Sequence, residues 1–136
     1  MRTKVNNIIV IKQKNGFNAQ KRENMNSLEF TNELCKLLSD KKAEDIVKIA
    51  VGEKSILADY FVIASGRSST QVRALCEHAD EFATKLGRMP KRVEGVQEGR
   101  WAVLDFGDVI LHIFDDENRL FYHLERLWGE GERFEG

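Results

Sequence analysis

The chain predicts an α/β (α+β) domain, a mixed sheet of about five strands packed with helices. Three observations carry that prediction. A length of 136 residues is one domain's worth of material, and a 42% hydrophobic composition with eight Phe can bury a sizeable core without disulfides or a structural metal. Apolar spacing along the chain alternates between helical and strand periods, in the order helix, two strands, helix, three strands, helix. Finally, Arg100 to Phe114 reads as a hairpin whose register turns one apolar face inward.

The elements follow in order. Residues 1–24 are rich in Asn, Lys and Gln, and only Ile8 to Ile11 among them offers packing. They lack the apolar stretch and cleavage site of a secretory signal. A transit peptide fits the basic charge but not the scarcity of Arg and Ser, so a disordered or non-native extension, or an upstream start before Met25, is expected. Asn26 with Glu29 forms a capping box, and Leu28, Thr31, Leu34, Cys35 and Leu38 continue at helical spacing to about Asp40. Ile46 to Val51 is a short β-branched strand ending at Gly52 and Glu53. Asp59 to Ala64 is almost wholly apolar, which predicts a central strand covered on both faces. Ser68 with Gln71 forms a second capping box, opening a helix whose face is Val72, Leu75, Cys76, Ala79, Phe82, Ala83 and Leu86. Gly87 stops it. An edge strand is expected after Pro90, over Arg92 to Val96.

Gly107-Asp108 suits a two-residue type II′ turn with Gly first. That register pairs Phe106 with Val109, Leu104 with Leu111 and Ala102 with Ile113, all apolar and therefore facing the core. The other face carries Trp101 with Phe114, Val103 with His112 and Asp105 with Ile110. An aromatic, a carboxylate and an imidazole on one face read as a contact surface, or as a face partly covered by a helix. A last helix begins near Asp116, with Leu120, Phe121, Leu124, Leu127 and Trp128 as its stripe and Gly129 as its stop; a polar tail follows over residues 130–136.

Charge narrows the function classes. The net charge of −1 divides into +5 over residues 1–24 and −6 over the rest. An acidic body repels phosphates and suits a basic protein partner, so little direct nucleic-acid contact is expected. Apolar runs fall far short of the ~20 residues that span a bilayer. Cys35 and Cys76 both lie on apolar helix stripes and read as reduced core thiols of a cytoplasmic protein. Asp105-Phe106-Gly107 matches the magnesium triplet of protein kinases, but no Gly-rich loop and no His-Arg-Asp accompany it. His78, His112 and His123 lack metal-ligand spacing, and neither Cys has a basic neighbour on its face. No metal or cofactor is predicted. Ser65-Gly66-Arg67-Ser68-Ser69, between a strand and a helix, is either a well-capped turn or an anion cradle of the kind nucleotidyltransferases use. Such enzymes add paired carboxylates on a neighbouring strand, and no acid-x-acid pair occurs at a suitable distance.

Taken together, Ala58-Asp59-Tyr60-Phe61-Val62-Ile63-Ala64-Ser65-Gly66, Ser68-Ser69, Val93-Glu94-Gly95, Gly99-Arg100-Trp101 and Leu104 through Phe114 resemble the Iojap or ribosomal silencing factor (RsfS) family. Arg119, Phe121-Tyr122, Leu124-Glu125 and Leu127-Trp128-Gly129 complete the pattern, which runs from about Ser27 to Gly129. The resemblance implies a nucleotidyltransferase-like fold without the catalytic carboxylates and a non-enzymatic factor. Such a factor docks on the large ribosomal subunit through ribosomal protein L-fourteen and sterically blocks joining of the small subunit, repressing translation. Trp101 matches the family's interface Trp. Asp105, Asp108 and His112 join it as candidate partner-binding residues on the hairpin register rather than on the resemblance. A divergent nucleotide-binding protein using the Ser65 to Ser69 turn is the alternative, and self-pairing of the hairpin face into a homodimer is a third possibility.

Overall fold

In the computed structural model of the chain, the described residues are 25–53, 55, 56, 58–122 and 132–134. The expectations for residues 1–24, and for the helix positions Leu124, Leu127, Trp128 and Gly129, lie outside them. Asn26 starts helix α1 (Ser27–Asp40) with the expected capping box. Its Oδ1 accepts from Glu29 N at 2.8 Å, and Glu29 Oε1 accepts from Asn26 N at 3.1 Å. The helix closes in a Schellman pattern, Ala43 N donating to Leu38 O at 2.9 Å, with Lys42 at φ +73 where a glycine is the usual choice.

Strand β1 (Glu44–Ala50) begins earlier than its β-branched run predicts and is kinked by a bulge, where Asp45 takes φ +50. Strand β2 (Tyr60–Gly66) is buried along nearly its whole length. Helix α2 (Ser69–Lys85) follows, and its cap differs from the sequence expectation in one respect. Ser68 Oγ accepts from Gln71 N at 3.1 Å, but Gln71 Oε1 accepts from Arg67 N at 2.6 Å, one residue outside the box. Gly87, at φ +79, ends the helix and lets Arg88 N reach back to Ala83 O at 2.8 Å. Strand β3 (Arg92–Glu94) is shorter than expected and exposed throughout. Strands β4 (Trp101–Asp105) and β5 (Val109–Asp115) pair in the predicted register across Gly107, which sits at φ +99. Helix α3 (Asp116–Tyr122) is capped by Asp115, whose Oδ1 accepts from Asn118 N at 2.8 Å.

A sixth strand, β6 (Glu132–Arg133), lies in the tail expected to be merely polar and pairs with Val47 and Lys48 of β1. The mixed sheet has the order β3-β4-β5-β2-β1-β6, in which only β2 and β5 run parallel. The chain crosses from β2 to β3 through α2. One face of the sheet meets α1 and α2 over Val62, Ala64, Ala102, Leu104, Leu111 and Ile113. The opposite face builds a second cluster from Val47, Ile49, Val51, Phe61, Ile63 and Phe114, with Trp101 and Ile110 at its margin.

Candidate functional site

The second face of the sheet changes character from one edge to the other. On β1, β2 and the His112–Phe114 part of β5 it is closed. Toward β3 and β4 it opens: Trp101, Val103, Asp105 and Ile110 are each only half-buried. Antiparallel partners share a face, so the pairing of Arg92 with Asp105 and of Glu94 with Val103 adds two exposed charged side chains to the same surface. These two lie on the same face as the candidate residues, 3.8 Å apart as an ion pair, and escape sequence reasoning. Only the β3–β4 pairing reveals them, and nothing local in the sequence specifies that register.

Trp101 is held on two sides. Its indole stacks on Phe114 with ring centroids 5.2 Å apart and 24° between planes. Its Nε1 donates to Nδ1 of His112 at 3.0 Å. The His112 ring in turn packs edge-on against Phe61 at 5.0 Å. His112 lies between Val103 and Ile63 in the sheet and retains 7% of its surface. Burial lowers its pKa to about 4, so the ring is neutral at physiological pH. Because Nδ1 accepts the indole proton, the imidazole proton resides on Nε2, which finds no partner among the described residues. An orphaned buried polar group of this kind costs about 1–3 kcal/mol. The backbone at Trp101 is also crowded: a Cβ on Gly95, at φ +78, would lie 2.2 Å from the Trp101 carbonyl oxygen.

The two candidate acids have different surroundings. Asp105 sits on the open face at the far end of β4 from Trp101, and its Oδ1 accepts from Gly107 N at 2.8 Å. Asp108 is engaged behind the turn. Its carboxylate pairs with Arg88, which also donates to Met25 O at 3.1 Å and lies 4.2 Å over the Phe30 ring. The Asp108 carbonyl accepts from Asp59 N at 2.7 Å, tying the turn to the start of β2. The structure therefore joins Trp101 directly to His112, sets Asp105 on the same face, and assigns Asp108 a bond to Arg88, just past α2, whose guanidinium also lies over Phe30 of α1.

The Ser65 to Ser69 turn is also occupied by the chain's own groups. Ser65 Oγ accepts from Arg119 Nη1 at 2.8 Å, and Arg67 Nε bonds Glu44 at 2.8 Å. The hollow beside it is lined by Glu98, Asp115 and Glu117 against Arg100, a lining whose net negative charge disfavours a phosphate. Cys35 and Cys76 are buried free thiols, and burial pushes Cys76 up to about 12, leaving it protonated. Among the described residues no group of His, Cys, Asp and Glu is arranged to hold a metal ion, and no helix is long and apolar enough to cross a membrane.

The chain is similar to known proteins in both sequence and fold. The family described as "Ribosomal silencing factor during starvation" matches residues 24–135. The Ribosomal silencing factor RsfS of Zymomonas mobilis is 47% identical over 96 residues, covering 70% of this chain and 71% of its own. The RsfS of Halalkalibacterium halodurans is 37% identical over 106 residues, covering 78% of this chain and 91% of its own. Among solved structures, a crystal structure of a Chromobacterium violaceum protein superposes with a TM-score of 0.76 at 29% identity, covering 78% of this chain and 88% of that one.

Proposed function

The chain belongs to the ribosomal silencing factor family, and from that premise we propose that it binds the large ribosomal subunit through ribosomal protein L-fourteen. Occupying that site, it blocks joining of the small subunit and represses translation. The observation that carries this reading is the half-open indole of Trp101, anchored on Phe114 and His112 at the open edge of the sheet. Such a ring presents a large apolar area that loses little side-chain freedom on docking, which is the physical profile of an interface hot spot. Asp105, and Glu94 beside its neighbour Arg92, lie on the same face and would pair with Lys or Arg of a basic ribosomal protein and speed encounter. Residues after 24 carry a net −6, which favours a basic protein over bare rRNA. Asp108 and His112 serve the surface from behind, one through the turn and the other through the indole.

The test is sedimentation of the purified chain with isolated large subunits, followed by addition of small subunits. Wild type should travel with large subunits and prevent joining, and Trp101→Ala should lose both while keeping its far-UV circular dichroism. Wild type that stays at the top of the gradient overturns the reading.

A further inference from the structure

We infer that His112 is a positioning residue for recognition: its Nδ1 holds the Trp101 indole in the one orientation that meets the partner. The inference deepens the ribosome-binding reading and rests on it. Stacking on Phe114 sets the plane of the indole. The bond from Nε1 to His112 Nδ1, at 3.0 Å, fixes which edge of the indole faces inward. The acceptor is itself immobile. His112 lies on β5 between paired strands on both sides, its ring rests against Phe61 at 5.0 Å, and it is 7% exposed. Stability alone does not account for a histidine here. Val103, Ile63 and Phe61 surround it with apolar groups, and an apolar ring of similar size would remove the orphaned Nε2. What that apolar ring would not supply is an acceptor for Trp101. An anchor already held in its bound pose loses less freedom on docking, and affinity rises accordingly.

The test is a mutant cycle on the intact chain, reading affinity for isolated large subunits together with the indole N–H signal of Trp101 in a nitrogen–proton correlation spectrum. His112→Phe keeps a ring and removes the acceptor, and Trp101→Phe keeps the stacking and removes the donor. Each single change should weaken binding about tenfold, equivalent to about 1.4 kcal/mol. The double variant should be no weaker than either single, because both delete the same bond. His112→Asn, whose amide oxygen reaches toward the Nδ1 position, should recover most of the loss, and the Trp101 signal should move in His112→Phe and return in His112→Asn. A His112→Phe protein that binds like wild type overturns the inference. So does a double variant that loses the product of the two single effects. Should His112→Phe fail to fold, Trp101→Phe decides the matter, since undiminished binding without the donor also overturns it. Those outcomes leave the ribosome reading standing. Wild type that fails to bind large subunits removes both.

Discussion

The two faces of the sheet obey different rules. The face under α1 and α2 is apolar along the middle of β2, β4 and β5, where Val62, Ala64, Ala102, Leu104, Val109, Leu111 and Ile113 are fully buried. The opposite face is equally closed on β1 and β2, yet toward β4 it carries an indole, an imidazole and a carboxylate in sequence. Burying apolar area stabilises by about 25 cal/mol per Å² wherever it occurs, so a face built for stability alone has no use for a neutral histidine with one unpaired nitrogen. The difference teaches where to look. The first face holds the fold together, and the second gives up part of that stability at one edge to keep an aromatic surface oriented and partly open.

Substitutions that break this contrast should differ in kind as well as size. Leu104 is fully buried on the first face, and Leu104→Ala should cost about 2–5 kcal/mol in a denaturant titration, with unchanged affinity in the protein that remains folded. A cost near that of a surface change would mean that the first face is not the main core. The second face should respond to pH. His112 titrates near 4 when folded, against 6.5 in the unfolded chain, so the unfolded state binds the extra proton as pH falls. Stability from this group is therefore fully present above pH 6.5 and declines toward pH 4, by up to about 3 kcal/mol. Denaturation midpoints across that window should flatten in His112→Phe by the same amount.

Trp101→Ala sharpens the comparison from the other side. Its effect should fall on recognition, with affinity for large subunits reduced by a factor of about thirty or more, equivalent to ~2 kcal/mol, and a smaller change in unfolding midpoint than Leu104→Ala. The smallest effect separates the two acids. Asp108→Asn weakens the charged bond to Arg88 behind the turn, so stability should drop by about 1 kcal/mol while affinity changes less than threefold. Lost affinity without lost stability would instead make Asp108 a direct contact.

Much of this was legible in the sequence, because the informative signals are local. Asn26 with Glu29 and Gly87 marked helix ends through their own hydrogen-bond chemistry. The Gly107-Asp108 turn set the β4–β5 register residue for residue, since a two-residue hairpin leaves no slack for slippage. The candidate site was half legible. Trp101 emerged from the register and from a family resemblance, and its bond to the diagonal neighbour His112 did not, since register assigns a face but not a ring orientation. Arg92 and Glu94 were missed because the loop from Gly95 to Arg100 is long enough to allow several β3–β4 registers. Gln71 was assigned to a symmetric capping box, and its side chain instead bridges Arg67 N and Lys42 O, a partner far away in sequence.

By itself, then, the sequence determined the order of the elements from α1 to the start of α3, the ends of α1 and α2, the hairpin register and which face of β4 and β5 is apolar. Those properties depend on spacing and turn chemistry within a few residues, and competing arrangements are excluded locally. Tertiary structure alone decided that His112 and Phe114 are buried while Trp101 is half-open, that Arg88 claims Asp108, and that Glu132–Arg133 adds a strand beside β1. Each of those outcomes depends on what a distant segment brings within contact. Closing a long loop costs nearly the same for many alternatives, and only the packing of the whole domain chooses among them.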